Sequence, residues 1–334
     1  MTKQEKIIWG LFAGILVILF LLSSTDLIIK EKKTAIYPVS VIIEETTDDY
    51  YANFRKGVDR AADEYNVDVN FITLYEKGEL KEQTELLKRE IGDGAKAVVL
   101  VPIKPDECAA AISGMEINSP LIIMGNMFHN DRVRGGIAVD YQETGKMLGE
   151  AIVRENETDK PVMVFSEGLE YGYNREIYDS LLNVLTEAGF QTLLYEKYKD
   201  GFVSAFLPES EDLFLRAMKE MAYSESKETV IAALDVQSLD SVTGIISGAP
   251  LYGEYIAGLY GIGSTTKLLN RMDQGTIKGL VVSNQFDAGY LSIVKAVEAI
   301  EKRGKREQIV LDSYYIEKDD LRESRFEKIL YPIE

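Results

Sequence analysis

The chain has 334 residues, 46% of them hydrophobic, and a formal net charge of −18. This size can bury the cores of two lobes, whereas the acidic balance disfavours nucleic-acid binding, because phosphates require basic side chains. The single cysteine, Cys108, excludes an internal disulfide and a cysteine-based metal site. The single histidine, His129, is read as a surface loop residue and leaves little basis for zinc or acid–base chemistry.

An uncharged apolar run near the N-terminus predicts a membrane anchor. Residues 7–25 follow Lys3 and Lys6, and at 1.5 Å per residue the run spans roughly 30 Å, about one bilayer core. A cleaved signal peptide is the alternative, but bulky residues follow instead of a small-residue cleavage site. No cysteine follows, which excludes a lipoprotein anchor. We expect a cytoplasmic N-terminus (1–6), a transmembrane anchor (7–25) and a charged linker (26–35).

Beyond the linker, short apolar runs alternate with amphipathic helical patterns, which predicts parallel sheets with right-handed crossovers. The runs are typical of strands covered on both faces and lie at 39–43, 67–74, 97–101, 121–124, 162–165, 230–233, 256–260 and 280–282. Helical stripes lie at 51–65, 80–91, 141–153, 174–188, 213–221 and 288–300. One such sheet cannot hold so many units, so we expect two lobes.

The loops after the apolar runs are the expected ligand-binding positions, because ligands of open parallel sheets bind beyond the carboxyl ends of the strands. These loops lie at 44–51, 102–106, 125–131, 166–174, 234–237, 261–265 and 283–287, and are rich in Asp, Asn, Gln and Tyr. Tyr50 and Tyr51 could contact a flat, hydroxylated molecule, or pack into the core and onto the surface. Asp48 and Asp49 could accept hydrogen bonds from ligand hydroxyls or cap the following helix.

The stretch VSVIIEETTDDYYANFRKGVDRAADEYNVDVNFI resembles the opening of type I periplasmic sugar-binding proteins, the ribose-binding-like group related to LacI repressor cores. Tyr50 and Tyr51 occupy the aromatic pair of that family, and Gly57 its helix glycine. The similarity continues through LLKREIGDGAKAVVLVPIKPDECAAAI, SPLIIMGN, GGIAVDYQETGKMLGEAI, VIAALDVQSLDSVTGIISG and LYGIGSTTKLLNRMDQGTIKGLVVSNQFDAGYLSIVKAVEAI. It covers residues 36 to about 302.

The resemblance implies an α/β fold of two Rossmann-like lobes with parallel sheets, joined by a three-segment hinge and preceded by the transmembrane helix. The first lobe would comprise 36–138 plus 284–305, and the second 139–283 plus 306–334. The hinge crossings are expected at 138–140, 283–285 and 305–310. The ligand would lie between the lobes, which close by hinge motion. Because members of the family are extracytoplasmic, the domain is expected outside the membrane.

Ten residues are candidate ligand contacts implied by the resemblance and the strand ends: Asp48, Tyr50, Tyr51, Asn126, Asp140, Tyr173, Asn174, Arg175, Asp235 and Asn284. Several have plainer alternatives, since Asn126 could form a turn, Asp140 could cap a helix, and Arg175 could be a solvated charge. The chain also departs from the ribose-type pattern, because Gly125-Asn126 stands where an Asp-Arg pair is usual. The identity of the sugar therefore stays open.

The sequence predicts a non-enzymatic, membrane-anchored, extracytoplasmic solute-binding protein for a small sugar or polyol, without a cofactor or metal. Its membrane partner would be an ABC transporter permease or a sensor histidine kinase. An enzyme on the same doubly wound scaffold is the alternative, although no paired acid and base stand out. A LacI-type regulator would need a basic helix-turn-helix where the apolar run lies.

Overall fold

The computed structural model describes residues 2–24, 36–44, 51–75, 78–197, 212–223 and 228–332. The chain falls into two compact units, Met1–Ile36 and Tyr37–Glu334. The first unit contains helix α1 (Lys3–Ser24), whose 22 residues correspond to about 33 Å. Its Lys3–Leu21 portion is long and apolar enough to cross a membrane. A signal sequence would meet the same criterion.

The second unit alternates strands and helices almost throughout. The elements are β1 (Tyr37–Ile43), α2 (Ala52–Tyr65), β2 (Val67–Thr73), α3 (Leu80–Gly92), β3 (Ala97–Leu100), α4 (Pro105–Ser113), β4 (Leu121–Met124), β5 (Val133–Val139), α5 (Tyr141–Glu155), β6 (Val162–Ser166), α6 (Asn174–Glu187), β7 (Thr192–Glu196), α7 (Leu213–Tyr223), β8 (Thr229–Ala233), α8 (Val236–Gly248), β9 (Ile256–Ile262), α9 (Thr266–Asp273), β10 (Gly279–Ser283), α10 (Gln285–Ile300), β11 (Glu307–Leu311), β12 (Ser313–Glu317) and α11 (Ser324–Leu330). Short 3₁₀ helices lie at Pro250–Tyr255 and Lys318–Arg322.

The strands form two six-stranded sheets, each the centre of one lobe. The first has the order β11-β5-β4-β3-β1-β2 and the second the order β12-β10-β9-β8-β6-β7. All pairs in the first sheet are parallel, and in the second only β12 runs antiparallel to its neighbour β10. This confirms the α/β fold with two parallel-dominated sheets.

The apolar runs of the sequence lie at the centres of these sheets. In β1, Val39, Val41 and Ile43 pack into one buried layer, while Ile42 packs into the layer on the opposite face. Residues 39–43 of this strand are covered on both faces, so every position there is apolar except the buried Ser40. The run at 39–43 therefore indicated a central strand correctly.

The chain crosses between the sheets three times, which is the three-segment hinge that the resemblance implied. Asp140 joins β5 to α5 and Asn284 joins β10 to α10, within the expected crossings. The third crossing is at Asp312, between β11 and β12, not at 305–310. Strand β11 pairs with β5 from Glu307↔Gly135 to Leu311↔Val139, so residues 307–311 belong to the first lobe rather than to the second. Strand-like composition alone could not tell which sheet β11 would join.

Candidate functional site

A cavity of about 320 Å³ lies between the two lobes, at the carboxyl ends of strands from both sheets. From the first lobe it is lined by residues that follow or end β1, β3 and β4, namely Glu44, Val101, Pro102, Ile103 and Met124. From the second it is lined by residues that follow β6, β8 and β9, including Glu167, Asp235 and Gly263. Its volume is at the lower end of the range for small-molecule sites. This is the position that a parallel-sheet architecture predicts.

The described part of the lining combines acidic, amide and aromatic side chains. The carboxylates are Glu44, Glu167 and Asp235, the amides Asn53, Asn174, Gln237 and Gln285, and the rings Tyr51, Phe54, Tyr141, Tyr171 and Tyr173. Within that described lining there is no lysine, arginine or histidine. Carboxylates and amides accept hydrogen bonds from hydroxyl groups, and aromatic rings cover apolar faces. The arrangement suits a neutral, polyhydroxylated molecule and disfavours an anion.

Four of the ten candidate residues line this cavity: Tyr51, Tyr173, Asn174 and Asp235. Tyr51 directly precedes α2, where its ring meets Phe54 edge-on with centroids 5.9 Å apart. Asp48 and Tyr50, like the neighbouring Asp49, lie outside the described residues. The position of Tyr51 follows from topology, since β1 ends at the cavity and α2 begins there.

The other four candidates do not line the cavity. Asp140 Oδ1 accepts a hydrogen bond from the Glu143 N–H at 2.9 Å and caps α5. Asn284 caps α10 in the same way, through the Asp287 N–H at 3.0 Å. Arg175 is exposed in the first turn of α6. For Asp140 and Arg175 these are the helix-cap and solvated-charge alternatives that the sequence allowed, whereas the capping role of Asn284 was not among the sequence-based alternatives.

Asn126, the remaining candidate, contacts the opposite lobe. Its backbone N–H donates to the hydroxyl of Tyr173 at 2.8 Å, and its Nδ2 donates to Glu176 Oε1 at 3.2 Å. Burial raises the pKa of Tyr173, which the hydrogen bond from Asn126 only partly opposes. The hydroxyl therefore stays neutral, and Tyr173 offers its ring to the cavity.

Asp235 organises the second-lobe wall of the cavity. Its Oδ2 accepts hydrogen bonds from Asn174 Nδ2 at 2.9 Å, the Glu167 N–H at 3.0 Å and Ser166 Oγ at 3.4 Å. Its Oδ1 accepts from the Ser238 N–H at 2.8 Å and caps α8. Burial raises the pKa of the Asp235 carboxyl, and the hydrogen bonds from Ser238 and Glu167 oppose that shift. The carboxylate thus fixes the loop after β6 against α8.

Sequence reasoning did not single out several polar lining residues. Glu44, Glu167, Gln237 and Gln285 lie in the segments predicted to follow apolar runs, so their position was the available signal. Others lie inside helices or beyond the hinge and carried no such signal: Asn53, Thr144 and Ser313. Among the described residues there is no group of three or more His, Cys, Asp or Glu side chains that could hold a metal ion.

Comparison with known proteins identifies the family. Residues 39–306 match the periplasmic binding protein domain. The chain belongs to this family. The match spans most of the second unit, and it confirms the resemblance inferred from the sequence motifs. Comparison with curated proteins gives no match.

Solved structures of other proteins share the fold at low identity. A solute-binding protein of an ABC transporter from Agrobacterium vitis, with bound D-fucose, has a TM-score of 0.76 and 16% identity, covering 88% of this chain and 100% of its own. A carbohydrate transporter solute-binding protein from Agrobacterium radiobacter, in complex with D-arabinose, has a TM-score of 0.72 and 18% identity, covering 89% and 99%. A XylFII-LytSN complex gives a TM-score of 0.68 and 12% identity, covering 86% and 99%.

Proposed function

We propose that this chain is an extracytoplasmic solute-binding protein that closes around a small neutral sugar or polyol. The observation that carries the proposal is the cavity between the lobes, whose described lining pairs carboxylates and amides with aromatic rings and contains no basic side chain. Two proteins of similar fold were solved with D-fucose and D-arabinose, which supports a sugar rather than an amino acid.

The ligand would use both kinds of lining group. Its hydroxyls would donate to carboxylates such as Glu44 and Glu167, and its C–H face would lie on a ring such as Tyr51. Asp235 has donors on both oxygens, so its role is to hold the wall in place and not to transfer protons. This division of roles favours binding without chemical conversion.

The domain would be held at the outer face of the membrane by α1, with residues 1–6 cytoplasmic and 26–35 as the linker. Its partner would be either an ABC transporter permease or a sensor histidine kinase. The fold of XylFII occurs in a complex with a second protein, LytSN, which supports presentation of a bound state to a protein partner. Ligand-induced closure would then act as a population shift that the partner detects.

Thermal unfolding of the full chain in detergent micelles, with a panel of pentoses, hexoses and polyols, tests the ligand class. A ligand that binds only the native state should stabilise it by about 2.7 kcal/mol at a hundredfold excess over Kd. Sugar phosphates and sugar acids should give no shift, because they would place an anion beside the cavity carboxylates.

Matched tyrosine variants test whether the sugar-induced stabilisation arises from binding in the cavity. Tyr51→Ala should abolish the sugar-induced shift, whereas Tyr75→Ala, at a side chain 92% exposed and outside the cavity, should retain it. A folded sample that responds to no sugar would exclude this ligand class. A sugar recovered chemically altered after incubation would instead favour the enzyme.

A further inference from the structure

Residues 170–176, which we call the strap, connect the second lobe directly to the first. The strap comprises the end of the loop after β6 and the first turn of α6, at the rim of the cavity. The N–H of Gly172 donates to the carbonyl oxygen of Ile103 at 2.8 Å, and Lys104 Nζ lies 2.7 Å from Glu170 Oε1. Ile103 and Lys104 follow β3 of the first sheet, so both contacts join the two lobes.

Tyr173 is the central contact of the strap. Its hydroxyl accepts the hydrogen bond from the N–H of Asn126, at 2.8 Å, and its ring stacks on Tyr141 with centroids 4.0 Å apart and planes 10° apart. The stack orients the side chain from within the second lobe, and the hydroxyl reaches the loop after β4 of the first. Glu176 adds the contact with Asn126 Nδ2.

The loop after β4 in the first lobe, residues 125–127, receives this hydroxyl, and we call this loop the seat. Gly125 has φ +137°, and a Cβ atom there would lie 1.9 Å from Tyr173 Oη, so only glycine permits the approach. Gln308 holds the seat in place, because its Oε1 accepts from the Met127 N–H at 2.7 Å and its Nε2 donates to the Gly125 carbonyl at 3.1 Å. The loop is therefore fixed from the first-lobe side, independently of Tyr173.

We propose that the strap is a latch that stabilises the closed arrangement of the lobes through direct protein contacts, with the Tyr173 hydroxyl as its main contact, so that a fraction of the molecules is closed before a ligand binds. The contacts of the strap with Ile103, Lys104 and Asn126 join groups of opposite lobes, so all of them break when the lobes separate. The apparent Kd of a ligand rises as the closed fraction falls. The strap therefore sets the conformational cost of binding for any occupant of the cavity.

The expected contribution of the hydroxyl is modest but measurable. A neutral hydrogen bond of this kind should change the ratio of closed to open molecules about fivefold. The Lys104–Glu170 pair is partly exposed, so solvent and salt screen it and its share should be smaller. Tyr173→Phe is the most informative substitution, because it removes the hydroxyl and keeps the ring that stacks on Tyr141.

Distances between spin labels on the two lobes of the full chain, measured without any sugar, test the proposal. Ala110→Cys in α4 and Asp179→Cys in α6 place labels at exposed positions of the first and second lobes. The native Cys108 is buried, and burial raises the pKa of its thiol to about 12, so it should stay unlabelled. We expect a substantial population with a short distance between the two labels, which represents closed molecules. Tyr173→Phe should lower the ratio of closed to open molecules about fivefold.

Two further variants make the result decisive. Gly125→Ala places a Cβ in the seat and should remove the short-distance population altogether. Tyr260→Phe removes a hydroxyl whose bonds, to Glu155 and Asn156, stay within the second lobe, and should leave the distances unchanged. A labelled protein found only open, or unaffected by both Tyr173→Phe and Gly125→Ala, would overturn the latch. Since no sugar is involved, failure of the sugar proposal would leave this result intact.

Discussion

At the scale of single residues, Asp235 shows how the hydrogen bonds of one side chain hold the wall of a binding cavity in place. Its oxygens accept from Ser238, Asn174, Glu167 and Ser166. All four partners are donors, so the site is built for an acceptor at both oxygen positions. An amide would present a donor to one of these partners and leave hydrogen bonds unmade.

We expect Asp235→Asn to lower the free energy of unfolding by about 1–3 kcal/mol, the cost of leaving buried donors unsatisfied. Denaturant unfolding of the variant and of the wild type measures the difference. Asp140→Asn is the matched control, since Asp140 also caps a helix through its side chain and asparagine caps helices about as well as aspartate. Equal stability of the two variants would contradict the role assigned to Asp235.

The candidate site was partly predictable from the sequence, for a topological reason. Tyr51 and Asp235 follow strand-like runs, and such positions gather at one edge of a parallel sheet. Asp140 and Asn284 also follow strands, but each begins a helix at a hinge crossing and turns its side chain to cap it. The sequence cannot distinguish the two roles, because the same residue types serve both.

At the scale of elements, eight of the twelve strands of the described chain coincide with apolar runs of the sequence, whereas β5, β7, β11 and β12 do not. Strand β11 lies at a sheet edge, where Val310 is exposed and Glu307 and Gln308 are polar, so its sequence EQIVL has apolar residues only at its carboxyl end. Strand β5 is interrupted by Gly135 and Gly136. A Cβ at Gly136 would lie 2.5 Å from Met127 Cγ, which shows that close packing around the strand favours glycine over a β-branched residue.

Two glycines set the distance between α2 and α10 in the first lobe. A Cβ at Gly57 would lie 1.9 Å from the carbonyl oxygen of Phe286, and one at Gly289 would lie 2.0 Å from that of Phe54. The contacting atoms belong to the backbone and cannot rotate away. We therefore expect Gly57→Ala to destabilise the protein by about 1–3 kcal/mol through overpacking, as measured by denaturant unfolding.

Gly244→Ala in α8 is the control for this substitution. No atom lies within 4 Å of a Cβ built at Gly244, so the intrinsic helix preference of alanine should stabilise the protein by about 0.5–1 kcal/mol. The opposite signs of the two changes in stability separate the effect of helix packing from that of helix propensity. Equal stability of Gly57→Ala and Gly244→Ala would contradict this prediction. It would mean that α2 and α10 can move apart without lowering the free energy of unfolding.

At the scale of the whole molecule, the acidic surface and the cavity point to the same kind of ligand. The chain carries a formal net charge of −18, and the described cavity lining has carboxylates but no basic side chain. A field of one sign slows the approach of like-charged molecules. Neutral solutes are unaffected by it, which agrees with the sugar or polyol proposed for the cavity.

The N-terminal helix provides the last test at this scale. We expect the full chain to stay in the membrane fraction after a high-pH wash, with a mass that retains residues 1–24, because Lys3–Leu21 is long and apolar enough to span a bilayer. Leu16→Arg should weaken insertion, since a charge near the helix centre costs about 2.5–3.5 kcal/mol. Lys3→Arg keeps the charge at the helix end and should have no effect. A mature protein released without these residues would identify α1 as a signal sequence and remove the anchor, while leaving the ligand-binding domain as described.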